Sequence, residues 1–450
     1  MRITHFKGTG IRGYMDFEIH FKENLHFLIG INGSGKTTVL KLISALITPS
    51  YFDLSQIEFK EIELELLQDN NTTIVIKCSK NEKQLSLKCE SVEGQIPISV
   101  LKFRNNPYPI EFLIDKMRND LMHFEEESVV KKIRSLETPL FLGLNRRFFD
   151  NPIMQIEKDV MITRRMNHNI DSLFDSVDRA LRDIQDMFNE VTRNNSRSQY
   201  ALADRFRKDV FEESFKIQTI SSFSSEQYKS SLAQLNEKKK TLYNAIELLG
   251  MDKLKSSFNE FFDKMSYNLN ILNETSSLDE SNKPNDEYYN AFINWVLNSE
   301  QLKRIDSIIT LANEYSNSLQ TLKRPFNRFV DSVNLFFSEG NKQIRVEESG
   351  DIKILIGQKK NTIYELSSGE KQLIIILAHV AFYKKLNRNS APVFIIDEPE
   401  LSLHISWQEK FVDALIKANP DTQFIMATHA PAIISRSDRK QLCIDLSNTK

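Results

Sequence analysis

The apolar positions of this 450-residue chain change period along its length, and each change predicts a change of element. Residues 3–8 read as a strand, 12–13 as a turn, and 16–21 as a second strand in which Phe17, Ile19 and Phe21 alternate with Asp16, Glu18 and His20. A short apolar strand at 25–29 leads into a glycine-rich loop and an apolar-faced helix at 38–47. Residues 57–67, 72–78 and 84–89 alternate again and predict an antiparallel β meander, with one more strand at 139–144.

The middle of the chain switches to helical spacing. Ile170, Phe174, Val177, Leu181, Ile184, Phe188 and Val191 recur four and three apart alternately, an a/d seam over three heptads. Tyr228, Leu232, Leu235, Leu242, Ile246 and Leu249 repeat the pattern, with Lys239 in one seam position. A third run extends from Ile305 through Ala312, Tyr315, Leu319 and Leu322 to Phe336, with Pro325 expected to kink or break it. Polar stretches at 194–198 and 276–286 suit hairpin tips or disordered loops. The pattern therefore predicts a long helical insertion, either a coiled-coil arm or a compact bundle; a helix of about 30 residues would be about 45 Å long. After it come a helix at 371–386 and two apolar strands, 393–396 and 424–429, the second ending in His429. The resulting division is an N-terminal lobe at 1–150, the insertion at 151–337 and a C-terminal lobe at 338–450.

Composition narrows the class without choosing a function. The length exceeds one compact core, and the net charge of −2 advertises no nucleic-acid tail. Basic clusters at 131–134, 146–147 and 164–165 could nevertheless line a groove for DNA. Cys78, Cys89 and Cys443 are too few and too scattered for a disulfide framework or a cysteine metal site. No signal peptide and no membrane-spanning apolar run is legible, so a cytoplasmic protein with no membrane association is expected.

Chemistry is concentrated in two segments. In Gly30-Ile31-Asn32-Gly33-Ser34-Gly35-Lys36-Thr37-Thr38, the three glycines leave no Cβ in the way, so backbone N–H groups of the loop, Asn32 and Ser34 included, can wrap a polyphosphate at the start of the following helix. Lys36 supplies charge to the β/γ phosphates and Thr37 a hydroxyl for Mg²⁺. Far along the chain, Val393-Phe394-Ile395-Ile396-Asp397-Glu398-Pro399-Glu400 is a buried strand that delivers Asp397 to the metal and Glu398 to the attacking water. Together they describe a site for ATP and Mg²⁺.

Leu366-Ser367-Ser368-Gly369-Glu370 resembles the signature sequence of ABC-type ATPases, residues 400–404 resemble their D-loop, and His429 at a strand end resembles their switch histidine. With the N-terminal strand, turn and strand, the chain is identified as an ABC-type ATPase of the SMC, RecF and OLD kind. The resemblance implies an α/β fold: a P-loop ATPase head with a mixed core sheet and an antiparallel β meander, interrupted by the α-helical insertion. It implies that Lys7 or Arg12 reaches the phosphates, that Ser367, Ser368, Gly369 and Glu370 serve the nucleotide of a second subunit, and that hydrolysis needs a head-to-head dimer or a higher homo-oligomer. The Q-loop glutamine is open between Gln56 and Gln155. OLD nucleases carry a Toprim domain after the ATPase, and little chain follows His429, so any cutting is expected from a separate nuclease. The closest likeness in kind is to stand-alone ATPase subunits of bacterial anti-phage systems of the Septu and PARIS types. A RecF-like DNA repair ATPase and a nucleotide-gated scaffold with little turnover are the alternatives.

Overall fold

The computed structural model describes residues 1–68, 70–98, 119–136, 140–142, 171–216, 232–248, 253, 255–275, 286–386 and 393–447. These form two compact units, one of Met1–Val191 with Pro325–Lys450 and one of Thr192–Arg324.

The first unit is built on two large sheets. β1 (Arg2–Ile11), β2 (Met15–His20), β4 (Glu61–Leu67), β5 (Thr73–Lys80), β6 (Gln84–Cys89) and β7 (Val92–Pro97) pair antiparallel in the order β2-β1-β4-β5-β6-β7. Their alternation is the period-2 pattern seen in the sequence: Phe17, Ile19, Ile62, Leu64, Ile74, Ile76, Leu85 and Leu87 are buried while the residues between them face outward. The second sheet is parallel, in the order β14-β3-β13-β12-β8, from β3 (Leu25–Ile29), β8 (Leu140–Leu142), β12 (Val393–Asp397), β13 (Gln423–Ala427) and β14 (Cys443–Asp445).

β12 and β13 are buried at every position because both faces of this sheet are covered. Val393, Ile395 and Ile425 join Val39, Leu40, Leu42 and Ile43 of α1 (Lys36–Ile47) and the inner face of the antiparallel sheet in one core. Phe394, Ile396, Phe424 and Met426 join a second core with α8 (Ser368–Leu386) and α9 (Ile405–Ala418). A small antiparallel sheet, β9 (Lys342–Val346), β10 (Ile352–Ile356) and β11 (Lys359–Thr362), adds Ile344, Ile352 and Ile354 to it.

The helices depart from the sequence expectations in three places. α4 spans Asp171–Phe215 without interruption, so the polar stretch at 194–198 is helix and not a hairpin tip. Two of its polar side chains find partners there: Asn195 Nδ2 donates to the Leu322 carbonyl at 3.1 Å, and Ser196 Oγ donates to the Thr192 carbonyl at 3.0 Å. α7 runs Asp286–Phe337 with Pro325 inside it, so Pro325 does not end the helix although it removes an N–H from the ladder. The first apolar seam is packed into the second core of the first unit: Leu181, Ile184, Phe188 and Val191 are buried with Phe329, Val333 and Phe336 of α7, and the Phe188 ring lies 4.6 Å from that of Phe382 in α8.

In the second unit, Leu235, Leu242 and Ile246 of α5 (Leu232–Leu248), Phe262, Met265 and Leu269 of α6 (Lys255–Thr275) and Trp295, Ile305 and Ile309 of α7 share a bundle core. Lys239, the charged seam position, reaches out to Asp263 at 2.9 Å. α6, β7 and the short α2 (Tyr51–Gln56) went unread in the sequence. Asn145, Arg146, Arg147, Gln155, the Arg164-Arg165 pair and the polar stretch at 276–285 lie outside the described residues.

Candidate active site

β3 and β12 are not neighbours: β13 lies between them, so three parallel strands end side by side and deliver the P-loop, Thr428-His429 and Asp397-Glu398 to one edge. The loop after β3 takes the conformation its glycines permit. Gly33 and Gly35 sit at φ +87° and +90°, and a Cβ on Gly30 would lie 2.7 Å from Ser34 Oγ. Gly35 is the N-cap of α1, whose first-turn N–H groups face the loop. Asn32 is exposed at the loop tip, and Ser34 Oγ is buried with no hydrogen-bond partner among the described residues, a hydroxyl free to donate to a phosphate.

Lys36 is buried at 6% exposure, and its ammonium donates to the Gly30 and Ile31 carbonyls at 2.9 and 3.1 Å. Burial lowers its pKa, against the opposing pull of Glu398, Asp397 and Glu400. Thr37 Oγ1 donates to Asp397 Oδ1 at 3.2 Å, which closes a sequence separation of 360 residues into one contact. Asp397 is 4% exposed, and its Oδ2 is buried and unpartnered among the described residues. Burial pushes its carboxyl up to about 6, with the Thr37 bond working the other way. A buried carboxylate oxygen without a donor, beside a threonine hydroxyl, fits an oxygen-preferring divalent cation such as Mg²⁺.

Glu398 follows at φ 47° and ψ 59°, left-handed backbone that a non-glycine residue occupies only under constraint, with its N–H donating to the Ala427 carbonyl at 2.9 Å. Between Lys7 and Arg12, the geometry separates the two. Arg12, itself at φ 53°, donates from Nε to Thr38 Oγ1 at 3.2 Å beside the loop, while Lys7 stands exposed on the outer face of the sheet opposite Glu18 and Glu63.

Two further residues enter the site: Glu400, read from the sequence only as the first residue of the D-loop resemblance, and Ser447, which was not read at all. Glu400 Oε2 accepts from Thr428 Oγ1 at 2.9 Å and Oε1 from the His429 N–H at 2.7 Å, so it ties the turn after β12 to the end of β13 and leaves the His429 side chain exposed. The Glu-Pro-Glu spacing was the available signal. Ser447 Oγ accepts from the Ile31 N–H at 3.3 Å because β14 pairs with β3, a link that no local pattern announces.

Ser367, Ser368, Gly369 and Glu370 open α8 in a capping arrangement: the Ser367 N–H and hydroxyl both donate to Glu370 Oε2 at 2.9 Å, and Lys342 holds Glu370 Oε1 at 2.7 Å. Burial opposes ionisation of Glu370, but the Lys342 and Ser367 bonds outweigh it and hold its pKa below the usual glutamate value. Among the described residues the bonds of this turn stay within it and with Lys342, not with the P-loop of the same chain. The next residue, Lys371, pairs with Asp178 of α4 at 2.9 Å.

The Retron Vc95 probable ATPase of Vibrio cholerae serotype O1 biovar El Tor is 27% identical over 229 residues, 48% of this chain and 43% of that protein. The Retron Ec83 probable ATPase of Escherichia coli is 30% identical over 163 residues, 32% of this chain and 29% of that protein. The chain thus spans less than half the length of these relatives. A solved Smc head domain with an extended coiled coil from Pyrococcus furiosus aligns over 96% of this chain and 91% of its own, at 12% identity and a TM-score of 0.37. The family model for the AAA ATPase domain matches residues 1–434. Its reach takes in the P-loop, Asp397-Glu398 and His429 alike, and the chain therefore belongs to the AAA ATPase domain family.

Proposed function

We propose that this chain is the ATP-binding and hydrolysing subunit of a bacterial anti-phage defence complex, and that its nucleotide cycle controls a separate nuclease effector. The observation that carries the catalytic part is the Thr37–Asp397 contact with the orphaned Asp397 Oδ2 beside it. The relatives named as retron ATPases support the defence part. The functional division follows the lobes at 1–150 and 338–450 and the helical stretch at 151–337.

Thr37 and Asp397 would hold Mg²⁺, which when bound neutralises charge on the β and γ phosphates. Lys36 turns from the Gly30 and Ile31 carbonyls toward the phosphates, and the loop N–H groups of Gly30 to Thr38, with Arg12 beside them, cradle the rest. Glu398 orients the attacking water and accepts its proton, and the exposed His429 ring faces the terminal phosphate from the neighbouring strand. Ser367, Ser368 and Gly369 would complete the site from a second copy, Glu370 holding their turn in shape, so that turnover requires at least a homodimer. DNA is a further candidate partner, through the basic surface helix α3 (Ser128–Arg134).

The test is subunit complementation. Lys36→Ala and Ser367→Arg are each expected to be inactive alone, and mixing them restores part of the ATPase activity, since one composite site per mixed dimer keeps both halves intact. A mixture that stays inactive while subunits demonstrably exchange rules out action in trans.

A further inference from the structure

We propose that His5, His20 and Glu18 form a binding site for a borderline transition-metal cation of the Zn²⁺ class, on the outer face of the antiparallel sheet and separate from the nucleotide site. The three residues converge because of register. His5 on β1 is the direct cross-strand partner of His20 on β2, and Glu18 lies two residues from His20 on the same strand, hence on the same face. β1 also carries a register shift against β4 between Ile3 and His5, which sends both Ile3 and Phe6 into the core and leaves His5 facing outward. The two imidazoles stack with centroids 4.4 Å apart and planes at 21°.

Three observations mark this as more than a pair of surface histidines. One donor atom from each residue lies within 4.8 Å of the others. His5 Nε2 is buried and has no hydrogen-bond partner among the described residues, with Glu18 Oε1 at 3.6 Å as its nearest charged neighbour. On the other side of the ring, His5 Nδ1 faces Glu65 Oε1 of β4 at 3.9 Å. At 3.9 Å Glu65 is not hydrogen-bonded to the ring, but it stands where a carboxylate drawing closer would hold Nδ1–H and leave the Nε2 lone pair for a cation, the outer-shell arrangement that metal-ligating histidines use.

Tetrahedral Zn²⁺ with bonds of about 2.0–2.2 Å needs donors about 3.4 Å apart. The contraction from the present spacing falls on Glu18 and His20, which are exposed and free to rotate, while His5 is held at 12% side-chain exposure. Two imidazoles and one carboxylate favour Zn²⁺, Co²⁺ or Ni²⁺ over Mg²⁺, so the cation of the nucleotide site does not compete. Water completes the shell.

The site pins an edge strand. Among the described residues β2 has β1 as its only neighbour in the sheet, and the opposite face of β2 supports the P-loop: a Cβ on Gly35 would lie 2.8 Å from the Phe17 ring and 3.2 Å from Met15 Sδ. A cation joining β1 to β2 therefore stiffens the wall against which the loop rests.

The test uses the full chain, stripped of metal by chelation and free of nucleotide, titrated with Zn²⁺ by calorimetry and with Co²⁺ by visible absorption. One Zn²⁺ per chain is expected, with a dissociation constant on the order of 1 µM or tighter, unaffected by millimolar Mg²⁺. His20→Ala and Glu18→Gln, both at exposed positions and expected to melt like the parent chain without metal, should each weaken binding about tenfold or more. Cys443→Ser should bind as the parent does. Absence of stoichiometric binding, displacement by Mg²⁺, or full retention in both His20→Ala and Glu18→Gln overturns the proposal.

Discussion

Replacing Gly35 by alanine tests how the P-loop is held, because the structure separates two costs there and Gly33 isolates one of them. Gly35 caps α1 at φ 90° and ψ 4°, where an added Cβ costs about 1–2 kcal/mol of backbone strain. That Cβ would also lie 2.8 Å from the Phe17 ring and 3.2 Å from Met15 Sδ. Phe17 is 2% exposed and Met15 6%, so neither can swing aside into solvent, and overpacking adds about 1–3 kcal/mol. Gly33 has nearly the same φ, +87°, with nothing within 4 Å of its virtual Cβ, and bears the strain alone. The loop can relieve either cost by leaving its phosphate-binding shape, so the loss is expected in ATP affinity more than in fold stability. Gly33→Ala should weaken binding about 5- to 30-fold, and Gly35→Ala about 30-fold to several thousandfold, at about 1.4 kcal/mol per factor of ten. Titration with a fluorescent ATP analogue in Mg²⁺ measures both, and a double-mutant cycle with Phe17→Leu isolates the packing part. Equal losses for Gly33→Ala and Gly35→Ala, or no coupling to Phe17, would refute the argument.

Acid sensitivity should trace in part to His26 on β3, which is buried with Nε2 accepting from the Lys22 and Glu23 N–H groups at 3.2 and 3.5 Å. Burial lowers its pKa to about 4, a drop that Glu23 opposes and Arg2 reinforces. The unfolded chain takes up a proton near pH 6.5 that the folded chain refuses until near pH 4, so stability falls by about 3 kcal/mol as the pH drops through that window. Unfolding midpoints of the parent and of His26→Gln should therefore converge or cross on acidification, whereas a pH-independent gap would count against the assignment; His379, also lowered to about 4 by burial, is common to both and cancels. Glu400→Gln retains one acceptor for two donors and forfeits a charge-assisted bond of about 1.5–3 kcal/mol at the end of β13. Turnover should drop about tenfold or more with ATP affinity kept within about threefold; unchanged steady-state turnover removes Glu400 from the positioning of His429.

Local pattern determined the parts of the site whose chemistry is contiguous. Glycine spacing and the flanking strand and helix were enough for the P-loop, since φ values near +90° at Gly33 and Gly35 and the start of α1 at Lys36 are short-range properties. The unbroken apolar run of β12 likewise announced a strand buried on both faces, with Asp397 at its end. Tertiary structure decided how these parts meet. Nothing local orders the strands as β14-β3-β13-β12-β8, the arrangement that sets His429 between the P-loop and Glu398 and brings Ser447 to Ile31. The seam through Leu181 and Phe188 has the spacing of a coiled coil, but spacing does not name the partner, and the core with Phe329 and Phe382 took it. At 194–198, polar residues that favour turns in isolation stay helical because the Leu322 and Thr192 carbonyls accept their side-chain donors. Arg12 over Lys7, and Glu400 as the tie between two strand ends, follow from the same cause: hydrogen bonds closed across tens of residues depend on where the backbone brings their donors, and a linear pattern holds no such distance.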